Sequence, residues 1–146
     1  MERFRTFTVL IGKISRSIRR IKSEVMKEYG LKIPHVSCLY YLYNNGALTA
    51  KELSDTCDED KASLSRAIDQ LEKMGLIFCD SDSPKRYKAH LCLTPKGEEL
   101  AREISEKVNE ALDYVGACLD DKERVSFYTA LERISERLDG FYEKID

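Results

Sequence analysis

The chain has no apolar run long enough to cross a membrane. Arg3 and Arg5 precede an apolar stretch, but Gly12, Lys13 and Arg16 interrupt it before it could serve as the core of a signal peptide. No membrane association is expected, and the cytoplasm is the expected compartment. No Cys-x-x-Cys pair occurs. The five cysteines, Cys38, Cys57, Cys79, Cys92 and Cys118, are odd in number and scattered, which excludes a paired disulfide framework and a zinc ribbon. Most are expected to be buried small hydrophobes. A redox role would start at Cys38, which sits among Tyr40, Tyr41 and Tyr43. The chain also lacks a glycine-rich phosphate loop, a nucleophile elbow and a His-Glu-x-x-His motif. Its two histidines, His35 and His90, stand alone, and a zinc site on His35, Cys38 and distant acids would need chance convergence. No catalytic residue, metal ligand or cofactor is assigned, and an enzyme is not expected.

What is present is charge, unevenly spread. The 146 residues carry a net charge of -2, with 42% hydrophobic and 34% charged residues, which suits a helix-rich chain of one domain, or one domain with extensions. Residues 1–28 hold +5, 29–60 hold -3, 61–97 hold +3 and 98–146 hold -7. A locally basic segment in an acidic chain fits a selective DNA reader that bulk DNA does not trap, and it fits other functions too.

Residues 48–97 carry the densest pattern. Thr49, with Glu52 three residues on, forms a capping box for a short helix with Ala50, Leu53, Ser54 and Cys57 on a small, partly apolar face. The link Asp58-Glu59 is short, so the next helix must cross closely. Asp60 caps that helix, whose Leu64, Ala67, Ile68, Leu71 and Gly75 share one side. The opposite side carries Ala62, Arg66, Asp69 and Lys73, flanked by Ser65 and Gln70. Small and polar residues of this kind let a helix enter a major groove and bond base edges; an amphipathic helix with a merely solvated face has the same pattern. Gly75 ends it as a left-handed cap. Leu76 to Cys79 reads as a strand, Ser81 to Pro84 as a turn, and Ala89 to Leu93 as the return strand, with Leu91 and Leu93 on one face and His90 and Cys92 on the other. Lys85, Arg86, Tyr87 and Lys88 at the tip would clamp phosphates or a minor groove, or simply keep a hairpin tip solvated.

Long helices flank this stretch. Phe4, Phe7, Ile11, Ile14, Ile18, Ile21 and Val25 step by three and four along a helix expected over Phe4 to Tyr29, closed by Gly30, with Arg5, Arg16, Arg19, Arg20 and Lys27 opposite. Pro34 opens a second helix with Val36, Leu39, Tyr40 and Tyr43 on one face, ended by Asn45-Gly46. From Pro95 a helix keeps spacing through Leu100, Ile104, Val108, Ala111, Leu112, Val115 and Leu119. Asp120 or Asp121 starts the last helix, with Val125, Tyr128, Leu131, Ile134, Leu138, Phe141 and Ile145 as its stripe. These arms hold more apolar surface than one small lobe needs. They suit either a two-fold dimer or a helical hairpin folded over the lobe.

The ordered set Leu48-Thr49-Ala50-Lys51-Glu52-Leu53, Asp60-Lys61-Ala62-Ser63-Leu64-Ser65-Arg66, Leu71-Glu72-Lys73-Met74-Gly75-Leu76-Ile77 and Leu93-Thr94-Pro95-Lys96-Gly97 resembles the MarR family of winged helix-turn-helix regulators. The resemblance extends weakly over nearly the whole chain. It departs at the wing, where the family's Asp-x-Arg has no acid at the expected place; Arg86 is the best match for the groove arginine, and Asp80 or Asp82 could replace the acid. One branch of the family senses hydroperoxides through a cysteine in its first helix, which this chain lacks.

The resemblance implies a mainly α fold with a small β-wing. It is a single domain, 1–146, whose winged helix-turn-helix lobe (31–97) is flanked by helical dimerisation arms (1–30 and 98–146). It also implies a homodimeric transcription regulator, a ligand-responsive repressor on an inverted-repeat double-stranded DNA operator. Lys61, Ala62, Ser63, Ser65 and Arg66 are the expected helix contacts, and Lys85, Arg86 and Lys88 the wing contacts. A small hydrophobic or phenolic effector would sit near Ile14, Ile18, Leu39, Tyr40 and Tyr43, residues that read equally as core. The alternative is a winged-helix protein-interaction module without specific DNA binding.

Overall fold

The computed structural model describes residues 2–3, 5–57, 59–80 and 88–142. The chain forms two compact units, Met1–Asn109 and Glu110–Asp146.

In the first unit the N-terminal helix is not one unbroken α-helix as expected. A π-helical stretch (Arg5–Leu10) runs into α1 (Ile11–Met26), and a tight 3-10 turn (Lys27–Tyr29) follows. The tightening has a local reason. Met26 is fully buried with ψ near zero, and the chain must reach Gly30 in the left-handed region, so the last turn closes by Gly30 N–H to the Lys27 carbonyl. The apolar seam stays uncovered within the chain: Phe7, Ile11, Ile14, Ile18 and Ile21 are between 37% and 52% exposed. Phe4 lies outside the described residues, as does the side chain of Val25.

Helix α2 (Ile33–Asn45) is the centre of this unit. Pro34 sits in its first turn, where its missing N–H costs nothing. Val36, Cys38, Leu39 and Leu42 are buried, together with the polar His35 and Ser37, while Tyr40 and Tyr43 are half-buried at the edge of the core. Burial on more than one face distinguishes it from the one-sided stripe expected.

A two-residue strand β1 (Leu48–Thr49) leads into α3 (Ala50–Thr56) and α4 (Lys61–Lys73). Strands β2 (Ile77–Asp80) and β3 (His90–Leu93) follow, and the sheet order is β1-β3-β2, all antiparallel. Strand β1 was not expected, because two residues show no alternation; it exists through its pairing of Leu48 with Leu91 and Thr49 with His90. Leu53, Leu64, Leu71, Leu76, Leu91, Ala101 and Ile104 complete the core.

Helix α5 (Pro95–Gly116) begins in the first unit and ends in the second, three residues short of the expected Leu119. In the second unit, Asp120 caps α6 (Asp121–Tyr142) by a reciprocal pair: Glu123 N–H to Asp120 Oδ1 at 2.9 Å, and Asp120 N–H to Glu123 Oε2 at 2.9 Å. Within the single chain, no described residue from 110 to 142 is buried. Val125, Phe127, Tyr128, Leu138 and Phe141 are all more than 40% exposed.

Candidate nucleic-acid interface

The sequence of α3 and α4 sets both helix starts. Thr49 Oγ1 accepts the Glu52 N–H at 3.2 Å while Glu52 Oε2 accepts the Thr49 N–H at 2.8 Å, the capping box expected. The Thr49 backbone and hydroxyl hold the Glu52 carboxyl below its ordinary value. Asp60 Oδ1 accepts the Ser63 N–H at 2.9 Å and fixes the first turn of α4. The Ser63 hydroxyl and backbone N–H together hold the Asp60 carboxyl below the usual aspartate value, with Arg66 adding a smaller attraction.

Between the caps lies Glu59, whose side chain is only 5% exposed. Arg19 from α1 approaches it at 3.8 Å, and Ser37 Oγ donates to it at 3.4 Å. Arg19, read on the face opposite the apolar seam, thus ties the arm to the turn that delivers α4. Asp58, the other linker residue, lies outside the described residues.

Helix α4 buries Leu64, Ala67, Ile68 and Leu71, the stripe read from the sequence. Its other side is open: Lys61, Ala62, Ser65, Arg66, Asp69 and Gln70 are exposed and Ser63 is partly so. Arg66 Nη2 donates to Ser63 Oγ at 3.1 Å, so the guanidinium lies along its own helix and keeps further donors for a ligand. Small Ala62, Ser63 and Ser65 leave the backbone approachable, as a major groove requires.

The C-terminal end of α4 is locked to the wing. Gly75, at φ +69, turns the chain. Thr94 Oγ1 donates to the Gly75 carbonyl at 2.7 Å and accepts the Gly97 N–H at 3.0 Å, while the Thr94 N–H reaches the Leu76 carbonyl at 3.0 Å. One threonine thus caps α5 and clamps the end of α4. The wing register pairs Ile77 with Leu93, Phe78 with Cys92, Cys79 with Leu91 and Asp80 with His90. Leu91 is buried and His90 exposed, as the alternation predicted. Lys88 is exposed two residues before the return strand β3. Lys85, Arg86, Tyr87 and Asp82 lie outside the described residues.

One pairing escaped the sequence reading. His35, read as isolated, reaches Gln70 on α4 across 35 positions, Nε2 to Oε1 at 2.6 Å. Sequence separation hid the pair; the only signal was that Gln70 follows Arg66 by one helical turn. Of the five residues expected around an effector, Leu39 is core, Tyr40 and Tyr43 are half-buried, and Ile14 and Ile18 are about half-exposed.

The cysteines behave as buried apolar groups at the two positions that matter most. Cys38 is fully buried, and burial pushes its thiol far up from the ordinary range. Burial likewise pushes Cys57 up to about 11. Reactivity needs the thiolate, so Cys38 is a poor start for redox sensing. Among the described residues no helix is long and apolar enough to cross a membrane.

A MarR family profile matches residues 29–86. A transcriptional regulatory protein for the hcr operon of Thauera aromatica is 30% identical over 96 residues, 66% of this chain; the chain spans 58% of that protein's length. Among solved structures, a MarR family regulator from Neisseria meningitidis superposes with a TM-score of 0.85 at 22% identity, covering 100% of both chains. A MarR family regulator from Listeria monocytogenes, solved with a 26mer DNA, superposes with a TM-score of 0.80 at 26% identity, covering 92% of this chain and 91% of that one.

Proposed function

We propose, for a chain that belongs to the MarR family, that two copies present their α4 helices to successive major grooves of an inverted-repeat operator and repress transcription there. The protein is a winged helix-turn-helix, DNA-binding transcriptional regulator. The observation that carries the finer reading is the two-sidedness of α4: an apolar stripe fixed in the core under an open face of Lys61, Ala62, Ser63, Ser65 and Arg66. Arg66 is the residue for base readout, by the match of a guanidinium to guanine. Lys61 and the serines serve phosphates and edges, and Lys85, Arg86 and Lys88 grip the flanking groove or backbone.

The homodimer is supported by the uncovered seam of α1 and, separately, by the uncovered apolar residues of α6, since contiguous exposed apolar surface marks an interface. Two-fold symmetry then sets half-sites about one helical turn, roughly 34–36 Å, apart. A small hydrophobic or phenolic effector near Ile14, Ile18, Tyr40 and Tyr43 would act by favouring a spacing of the reading helices that DNA does not fit. Such a repressor works in the cytoplasm. No observation favours the protein-interaction reading.

Selection of sites from a random duplex pool tests the proposal, with wild type and Arg86→Ala in parallel. An enriched inverted repeat, bound more weakly by the variant, is the expected result. Absence of any enriched sequence at low salt would overturn it.

A further inference from the structure

We propose that His35 is a positioning residue that fixes which end of the Gln70 side-chain amide α4 turns toward DNA, and so sets a preference for guanine or thymine at the base Gln70 meets. The inference rests on the DNA reading above and concerns a pair of side chains that the reading does not use.

The chain of reasoning starts at a backbone amide. The Lys32 N–H donates to His35 Nδ1 at 3.0 Å, as part of the cap of α2. A ring nitrogen that accepts carries no proton, so the neutral imidazole carries its proton on Nε2. Nε2 faces Gln70 at 2.6 Å. The ring therefore donates, and only the oxygen end of the amide can receive it; the amide's orientation is dictated by the network. The reverse arrangement would set two donors head to head beside a histidine that is 5% exposed, where an unmade bond is costly. A backbone N–H cannot reverse its direction, so its polarity passes through the ring to the amide.

What remains for a ligand is the amide NH2 of Gln70. Gln70 is exposed and lies on the face that carries Ser63 and Arg66. With Lys32, Pro34, His35 and Ala67, these three residues line a cleft of about 300 Å³. An unconstrained glutamine reads adenine by donating to N7 and accepting from the N6 amino group. With its oxygen held against the buried His35 ring, Gln70 turns its NH2 outward and no longer sets donor and acceptor side by side as adenine requires. Guanine (N7 and O6) and thymine (O4) present only acceptors in the major groove, whereas adenine sets beside its N7 an amino group that needs an acceptor, and cytosine presents an amino group alone.

Two measurements on the full chain test this. A long-range 1H–15N spectrum of the ring nitrogens at neutral pH reads the tautomer, the His35→Asn spectrum assigning which of the two histidines is which. The Nε2–H form is expected; the Nδ1–H form would overturn the pin. Affinities are then measured on the selected operator with each position changed to all four bases. One position per half-site should bind guanine or thymine about three- to tenfold more tightly than adenine or cytosine, the effect of roughly one hydrogen bond. Gln70→Ala should flatten that position. His35→Asn keeps an acceptor for the Lys32 N–H but cannot reach Gln70, and should raise adenine to the level of guanine and thymine there, leaving other positions unchanged. An unchanged preference in His35→Asn, or no position that Gln70→Ala flattens, would overturn the inference. A wild type that enriches no sequence overturns the DNA reading and the base preference with it; the ring spectrum still decides separately whether the pin exists.

Discussion

The carbonyl oxygen of Leu76 stands 1.8 Å from where a Cβ on residue 97 would be, so position 97 accepts only glycine. Thr94 enforces the approach by bonding the Leu76 carbonyl, the Gly75 carbonyl and the Gly97 N–H at once. Gly97→Ala must move backbone, and should lower stability by at least about 2 kcal/mol, the upper part of the range for overpacking. Gly30→Ala is the comparison: its φ is +65 but nothing lies within 4 Å of the added atom, so only left-handed strain of about 1 kcal/mol is expected. Urea midpoints at unchanged slope would measure both. Equal losses would mean that the clamp yields.

The cap of α4 carries a pH signature. Asp60 is held below its ordinary value of 3.8 by the Ser63 hydroxyl and N–H. A depressed folded-state value means that the carboxylate stabilises the fold above the unfolded value and that this contribution is lost as pH falls through the folded one. Asp60→Asn keeps a capping oxygen without the charge. The melting temperature of wild type should exceed that of the variant near neutral pH, with the gap closing in acid below the ordinary value. A gap that stays constant down to pH 2 would assign the difference to something other than this carboxylate.

How much of this was legible in the sequence depends on distance along the chain. The capping box at Thr49 and Glu52, the cap at Asp60 and the buried stripe of α4 all join residues within a turn or two, and all read correctly. The role of Thr94 was visible as a motif but not as a mechanism, because its partner Gly75 is 19 residues away. Strand β1 could not be read at all, since two residues gain strand character only from β3. His35 and Glu59 were opaque for the same reason: what each does depends on a side chain delivered by another helix.

Arg19 and Glu59 join an arm to the reading turn, and the pair can be weighed. Arg19 is 49% exposed and Glu59 5%, with 3.8 Å between them. Arg19→Ala leaves a buried carboxylate with one long bond from Ser37. Fully buried pairs lose several kcal/mol when one partner goes, but solvent at Arg19 screens this one, so about 1–2 kcal/mol is expected. Glu59→Gln removes the stranded charge, so adding it to Arg19→Ala should restore part of the loss. Strict additivity in that cycle would show the two do not interact.

The thiols should separate by burial when the folded protein is alkylated at pH 8. Cys118 is exposed and should react first. Cys38 and Cys57 are buried with thiols pushed up, Cys57 to about 11, and should react only on unfolding. Labelling of Cys38 in the native protein at the rate of Cys118 would reopen the redox role that its tyrosine neighbourhood suggested.

Arg66 gives the sharpest test of the reading face, because its position in the free protein is already constrained. Its Nη2 donates to Ser63 Oγ at 3.1 Å, and Ser63 is itself tied to Asp60, so the guanidinium is held against the helix by the same residues that cap it. A side chain ordered before binding loses less entropy on meeting a base, and its remaining donors keep the fork that fits guanine. Arg66→Ala should therefore cost about 1–3 kcal/mol and erase preference at one base pair in each half-site. Ser63→Ala removes the tether and the hydroxyl's share of the hold on Asp60; the backbone N–H of residue 63 still caps through Asp60, so the loss should stay within about 1 kcal/mol with base preference retained. Arg86→Ala, acting on the backbone or flanking groove, should instead weaken all sequences alike and reduce the salt slope by about one. Binding isotherms for the three variants on matched and mismatched operators, at several salt concentrations, separate these outcomes. If Arg66→Ala reproduced the sequence-independent loss expected of Arg86→Ala, the open face of α4 would be holding phosphates rather than reading bases.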